Sequence, residues 1–256
     1  MENMFNISGT GTMAGFMVVM ATFLLAGLVK GVIGLGLPTV AVALLGLVMT
    51  PMEAAALLVV PSLVTNVWQL AAGTNLKRLM HRLWPMMAGI CIGTMLGAAL
   101  WSGSDARHAT AALGVALILY ALSGLLSIRL SFPAGSEPWL SPTVGAATGA
   151  VTAATGVFVM PAVPYLQALG FSREDLIQAM GLAFTTSTVA LAAGFAYQGS
   201  LHSGTAGGSL LALLPALAGM HIGQWVRTVV RPETFRKCFF AGLLAIGMHL
   251  ALKGLF

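Results

Sequence analysis

Long apolar runs, most of them about the length of a membrane crossing, alternate along this chain with short polar stretches. Eight such segments run approximately over 13–49, 53–72, 83–103, 107–128, 141–170, 174–197, 206–228 and 234–254. A helix rises 1.5 Å per residue, so about 20 apolar residues cross about 30 Å of hydrocarbon. Segments 2, 3, 4, 6, 7 and 8 have that length. Segments 1 and 5 are longer, and each is interrupted near its middle by Gly, Thr or Pro. The pattern predicts an all-α polytopic membrane protein forming one transmembrane domain over residues 1–256.

The two interrupted segments resemble each other. Gly27 to Gly34 (GLVKGVIG) aligns with Gly149 to Gly156 (GAVTAATG), a shift of 122 residues, and each stretch is followed by a proline, Pro38 or Pro161. Each then ends at a helix-start signal, a Thr or Ser cap with an acid three residues on: Thr50-Pro51-Met52-Glu53 and Ser172-Arg173-Glu174-Asp175. Pro51 also suits the first helical position, whereas Asp175 is a looser capping partner than Glu or Gln. A second match joins Trp84 to Gly93 with Leu214 to Gly223, a shift of 130. Two matches in the same order predict a four-element repeat, its copies covering about 13–128 and about 141–254.

Charge placement orients the copies. If all eight segments crossed once, Lys77, Arg78, Arg82, Arg129 and Lys253 would lie on one side, with Arg107, Arg173, Arg227, Arg231, Arg236 and Lys237 on the other. That split shows no bias. If segments 1 and 5 are instead hairpins of two short arms returning to their starting side, only Arg107 and Lys253 fall outside, and the positive-inside rule favours this arrangement. Residues 39–49 and 159–169 are too short to span as helices, which agrees. Each copy then makes an odd number of crossings, so the copies are inverted. Broken helices meeting near the midplane between inverted repeats are a recurring plan of secondary transporters.

Composition fits this picture. The chain is 58% hydrophobic and only 7% charged, with a mean hydropathy of +0.93, where a soluble domain carries about 25% charged residues. The net charge of +5 comes from basic residues in short loops and is no nucleic-acid footprint. Cys91 and Cys238 lie far apart in apolar segments, giving neither a disulfide framework nor metal-ligand spacing. No leader is expected at the start, since the first residues lack a basic region and the apolar run exceeds a signal's core.

Lys30 is the sharpest candidate for chemistry. An ionisable group at membrane depth costs at least about 2.5–3.5 kcal/mol on insertion scales, and so faces a polar cavity or a partner. It is read either as a lysine snorkelling to an interface or as the anchor of an anionic substrate; its depth in the apolar run favours the anchor. Gly31, Gly34, Gly36 and Pro38, with Thr152, Thr155, Gly156 and Pro161, are expected to form two facing turns whose free backbone N–H groups suit an anion. Thr152 stands in Lys30's place in the second copy, so charge recognition would be one-sided. Segment 2 offers Ser62, Thr65, Asn66, Trp68 and Gln69; segment 6 offers Thr185, Thr186, Ser187 and Thr188 at the equivalent depth. Interhelical hydrogen bonding is the commoner use of such groups; Asn66, Trp68, Gln69 and Thr186 are the proposed lining. His221 is read as a packing histidine or a protonatable group on the pathway. The seven acids, Glu2, Glu53, Asp105, Glu137, Glu174, Asp175 and Glu233, lie near segment ends or in loops. No intramembrane carboxylate site for sodium or protons is therefore expected. No nucleophile–base motif joins the hydroxyls to a base, so an enzyme is not expected. Transport of another small anion, or of a metal cation through the 15 methionines and two cysteines, is the alternative.

The eight-segment chain, the motifs Gly27–Pro38 and Gly149–Pro161, the stretch Pro61 to Gln69 (PSLVTNVWQ) and the Pro-x3-Gly-x3-Gly pattern of segments 3 and 7 together resemble the sulfite exporter TauE/SafE family, also called the toluenesulfonate uptake permease family. The resemblance implies a multi-pass transporter of small sulfur-containing anions, such as sulfite or organosulfonates, in a bacterial inner membrane. Its expected partners are the anion, the lipid bilayer and a second copy as a homodimer, with no nucleic acid and no cofactor. The chain departs from the commoner family form at Leu37 before Pro38, and at Phe158-Val159-Met160 before Pro161.

Overall fold

The structure, a computed structural model, describes residues 12–101, 105–126, 131–133, 135–199 and 203–255. Among the described residues there are ten helices and no strand: α1 (Thr12–Ile33), α2 (Leu37–Leu45), α3 (Pro51–Ala71), α4 (Leu76–Trp101), α5 (Ala106–Leu125), α6 (Glu137–Thr155), α7 (Ala162–Ala168), α8 (Arg173–Tyr197), α9 (Ser203–Val229) and α10 (Pro232–Leu255). All eight apolar segments are helical, and segments 1 and 5 are each split in two at the expected Gly/Pro stretches. Seven helices, α1, α3, α4, α5, α8, α9 and α10, are long and apolar enough to cross a membrane.

Two boundaries differ from the sequence reading. Segment 1 is not a pair of short arms: α1 has 22 residues, about 33 Å, and only the return arm α2, with nine, is short. The lysine and glycine of its last turns did not stop the helix, because a partner helix packs over them. Helix α4 starts at Leu76, so Lys77, Arg78 and Arg82, read as a loop, occupy its first two turns. Arg129, used in the charge argument, lies outside the described residues, as do Glu2 and the end of segment 4.

The start signals work as their chemistry dictates. Thr50 accepts from Glu53 N–H, and Glu53 reaches back to Thr50 N–H, a complete capping box ahead of Pro51. Ser172 accepts from Asp175 N–H at 3.1 Å. Asp175, one methylene shorter than Glu, turns its carboxylate instead to Asn75 and Arg78.

The close pairs are α1 with α9, α4 with α6, α5 with α10, and α3 with α8. In the first two pairs, backbones touch. A Cβ added at Gly27 would lie 2.1 Å from Ala216 O, and one at Gly93 2.1 Å from Ala146 O, so no larger residue fits. Residue order gives the directions. Gly27 meets Ala216 while Gly31 meets Gln224, so α1 and α9 run parallel; Gly89 meets Pro142 while Gly97 meets Ala153, so α4 and α6 do too. Gly114 meets Ala251 while Gly254 meets Ala111, and Ser62 meets Thr188 while Gly73 meets Gln178. The pairs α5 with α10 and α3 with α8 are therefore antiparallel.

These directions carry each interrupted segment back to the end of the bundle where it began. Arg82 near the start of α4 bonds Glu137 at the start of α6 (2.7 and 2.9 Å), reaches Leu169 O just past α7, and lies 4.7 Å over the Phe171 ring. Arg78 bonds Asp175 at the start of α8 (2.6 Å). The beginning of α6 and the end of α7 thus share one end. Lys253, near the end of α10, donates to Leu47 O just after α2 (3.1 Å). Because α10 turns back from α9, which runs parallel to α1, Leu47 lies at the end where α1 begins. The same tracing puts Lys77, Arg78, Arg82, Arg173, Arg227, Arg231, Arg236 and Lys237 at one end of the bundle, and Arg107 and Lys253 at the other.

Candidate functional site

Helix α3 prepares the site. Pro61 has no N–H, so Leu57 O loses its helical donor. Ser209 of α9 fills the gap, donating to Leu57 O (2.8 Å) and accepting from Val60 N–H (3.0 Å). Beyond this mended gap, Ser62, Thr65, Asn66 and Gln69 follow at i, i+3, i+4 and i+7, which puts them on one helix face. All four are buried. Trp68 falls off that face and is 70% exposed, so it does not join them.

Lys30 comes to this face from the last turn of α1, and only 6% of it is exposed. Helical side chains lean toward the N-terminus, which carries Nζ away from the break and toward the middle of the bundle. The ammonium donates to Thr65 Oγ1 (3.0 Å) and to Asn66 Oδ1. Asn66 Nδ2 donates in turn to Ser62 Oγ (3.0 Å), which stands 3.3 Å from Thr188 Oγ1 on α8. Thr188 spends its own proton on Phe184 O (2.7 Å), so Ser62 is the donor to Thr188. A directed chain, Lys30 to Asn66 to Ser62 to Thr188 to the Phe184 carbonyl, therefore crosses from the first half of the sequence into the second.

Among the described residues no carboxylate pairs with Lys30; the ion pairs, Arg78–Asp175 and Arg82–Glu137, lie at the bundle end. An ammonium carries three N–H donors. Two are used on neutral acceptors, leaving one donor and the whole charge to attract an anion. Among the described residues there is also no cluster of three or more His, Cys, Asp or Glu side chains that could hold a metal.

The Gly/Pro stretches are arranged differently from two facing turns. Gly34 (φ +81°) and Gly36 (φ +100°) do make the first break, where their positive φ favours glycine, and Pro38 sits in the first turn of α2. Gly31 stays helical: its Cβ would lie 2.3 Å from Met220 O, so it is a packing glycine against α9. In the second half Thr152 and Thr155 close α6, their hydroxyls turned back to Thr148 O and Val151 O (both 2.7 Å). Gly156 (φ +72°) ends the helix, and Pro161 precedes α7.

The levels of the two breaks also differ. A Cβ at Gly156 would meet Ala55 in the first turns of α3, whereas Lys30 reaches Thr65, ten residues or about 15 Å further along that helix. Each long arm passes the middle of the bundle before it breaks, so the breaks lie on opposite sides of it. The other candidates divide plainly. Gln69 donates to Ile177 O (2.9 Å) and clips α3 to α8; Thr186 donates to Leu182 O and to Met87 Sδ, facing α4. His221 is exposed on α9, beside the glycines that pack on α1, and no contact brings it to Lys30. Thr65, Ser62 and Thr188 stand at the centre instead, and the i, i+3, i+4 spacing of the α3 residues was the signal for two of them.

The family described as Sulfite exporter TauE/SafE matches residues 19–250, nearly the whole chain. None of the curated proteins and none of the solved structures compared with the chain matches it.

Proposed function

The chain belongs to the sulfite exporter TauE/SafE family, a family of multi-pass membrane transporters rather than enzymes, and from that premise we propose that it carries a small sulfur-containing anion, sulfite or an organosulfonate, past Lys30. The observation that carries this reading is a buried lysine amine bonded to two neutral acceptors, with no carboxylate beside it among the described residues. The same charge disfavours the passage of metal cations, since a fixed positive group repels them across a low-dielectric site.

The proposal includes the mechanism. Residues of about 13–128 and about 141–254 form two inverted copies, and alternating access rocks one against the other around Lys30. The antiparallel pairing of α3 with α8, and of α5 with α10, supports this, because helices related by an axis in the membrane plane must run oppositely. The strongly basic end faces the cytoplasm of a bacterial inner membrane.

The test is binding to the purified protein across a panel of sulfite, sulfate, short alkanesulfonates and small carboxylates, followed by flux into proteoliposomes. Saturable binding and flux of sulfite or a sulfonate, with carboxylates weaker, is the expected result. Binding of carboxylates alone, or of none of the panel, overturns it.

A further inference from the structure

Most of the hydroxyls in the middle of α8 spend their proton on their own helix. Thr185 donates to Gly181 O, Thr186 to Leu182 O and Thr188 to Phe184 O. Ser187 does not. It is fully buried, and among the described residues its Oγ finds no hydrogen-bond partner. A buried hydroxyl left without a partner is costly, and each one in a folded protein calls for an explanation.

The repeat says what is missing. Adding 122 to Lys30, Thr65 and Asn66 gives Thr152, Ser187 and Thr188. Ser187 is therefore the counterpart of Thr65, the residue whose Oγ1 receives the Lys30 ammonium at 3.0 Å. In the second half that donor is absent. Thr152 is shorter than lysine, and its hydroxyl is turned back to Thr148 O. By the repeat, Ser187 thus stands at the position whose partner in the other half is a lysine, and its own half supplies none. It adjoins Thr188, the far end of the hydrogen-bonded chain that starts at Lys30.

We propose that Ser187 is a second substrate-binding residue: its O–H donates to an oxygen of the oxyanion whose charge Lys30 holds. This rests on the reading of Lys30 as the anion's anchor. A tetrahedral or pyramidal oxyanion has several acceptor oxygens, so one can face the ammonium while another takes the serine proton. The site then has a charged pole from one half of the sequence and a neutral hydroxyl pole from the other, and the anion bridges them. Because the bridge joins both halves, Ser187 also sorts ligands by their oxygens: a spherical halide, with no second oxygen to offer, cannot use both poles.

The test compares Ser187→Ala, Ser187→Thr and Lys30→Met in the full-length protein, reading sulfite and methanesulfonate binding beside thermal unfolding without ligand. Ser187→Ala removes a hydroxyl that has no partner in the empty protein, so its melting temperature should stay level or rise, while affinity falls about tenfold or more, as for a lost hydrogen bond to a charged group. Ser187→Thr, which restores the group found at position 65, should bind like the parent. Chloride binding, measured on its own, should be insensitive to Ser187→Ala. Parent-like oxyanion affinity in Ser187→Ala, with Lys30→Met defective, overturns the role of Ser187 and leaves the Lys30 reading standing. A lowered melting temperature with unchanged affinity makes the serine structural and also overturns it. Parent-like binding in Lys30→Met overturns the reading on which both rest.

Discussion

Replacing Lys30 by methionine removes the charge and keeps most of the apolar stem. Two buried acceptors lose a donor, Thr65 Oγ1 and Asn66 Oδ1. Thr65 keeps its bond to Pro61 O and Asn66 its bond to Ser62, so the Asn66 carbonyl is the group left short. Leaving one such group unsatisfied costs about 1–3 kcal/mol. Against that stands the removal of an ammonium that is 6% exposed and, among the described residues, has no carboxylate partner. Withdrawing an ion from water to such a place carries a penalty of several kcal/mol, and swapping buried ions for apolar groups is often neutral or stabilising. The terms oppose, and the expected change in stability is within about 2 kcal/mol of zero. Binding has no such offset. An ammonium about 4 Å from an anionic oxygen, at an effective dielectric of about 20, contributes about 4 kcal/mol. Sulfite affinity in Lys30→Met should therefore fall by about 100- to 1000-fold. Calorimetric titration of the protein in nanodiscs, with thermal unfolding alongside, measures both quantities. A folded variant that binds sulfite within about threefold of the parent refutes the electrostatic argument.

Two further outcomes test the framework around that site. Gly93→Leu should give no monodisperse protein on size exclusion, because even the first side-chain atom would lie 2.1 Å from Ala146 O and the α4–α6 backbones would have to part; such overpacking costs about 3 kcal/mol or more, and a variant melting like the parent refutes that contact. In a background lacking Cys91 and Cys238, both exposed, Gly170→Cys and Arg231→Cys should label from the cytoplasmic side and Asp105→Cys from the outer side; labelling of positions 170 and 231 from opposite sides refutes the hairpin of segment 5.

Element count, element type and the interrupted segments were legible because each depends on local chemistry. Pro38 and Pro161 follow the breaks, Thr50 and Ser172 cap the next helices, and the apolar lengths match a bilayer. What escaped was tertiary. The glycines Gly27 and Gly31 read as helix breakers beside Lys30, yet in α1 they are the surface on which α9 lies, and a packed glycine does not break a helix that its neighbour holds in place. Lys77, Arg78 and Arg82 read as a loop because charge ordinarily marks the end of a span. They are helical because Glu137 and Asp175 from neighbouring helices give the two arginines partners at the bundle end. Trp68 and Gln69 are adjacent in sequence, and only the turn of the helix separates an exposed ring from a buried amide.

The position of the breaks follows from the same packing. An arm that stopped at the midplane would leave its last carbonyls and the following N–H groups at the level of greatest hydrophobicity, and only a cavity or protein could cover them. Here each long arm runs past the middle along a parallel partner, α1 on α9 and α6 on α4, and breaks nearer one end of the bundle. The middle is then left to side chains rather than backbone ends. That is why the length of Lys30 matters. From the last turn of α1 it reaches back to Thr65 and Asn66, whereas Thr152, at the matching place in α6, satisfies itself on Thr148 O. Two arms of similar backbone, broken on opposite sides of the middle, thus carry one long cationic side chain and one short neutral one at matching places. On the proposed repeat, that difference is what leaves the Ser187 hydroxyl without a hydrogen-bond partner among the described residues. Lengthening the second arm's side chain should therefore close the asymmetry: Thr152→Lys would offer Ser187 a donor but set a second cation near Lys30. At an effective dielectric of about 20 two such charges would repel by roughly 3 kcal/mol if they came within about 6 Å. The variant should accordingly unfold earlier than the parent without ligand and regain that loss as divalent sulfite or sulfate is added. Unfolding that is insensitive to both the substitution and the anion would separate Thr152 from the Lys30 site.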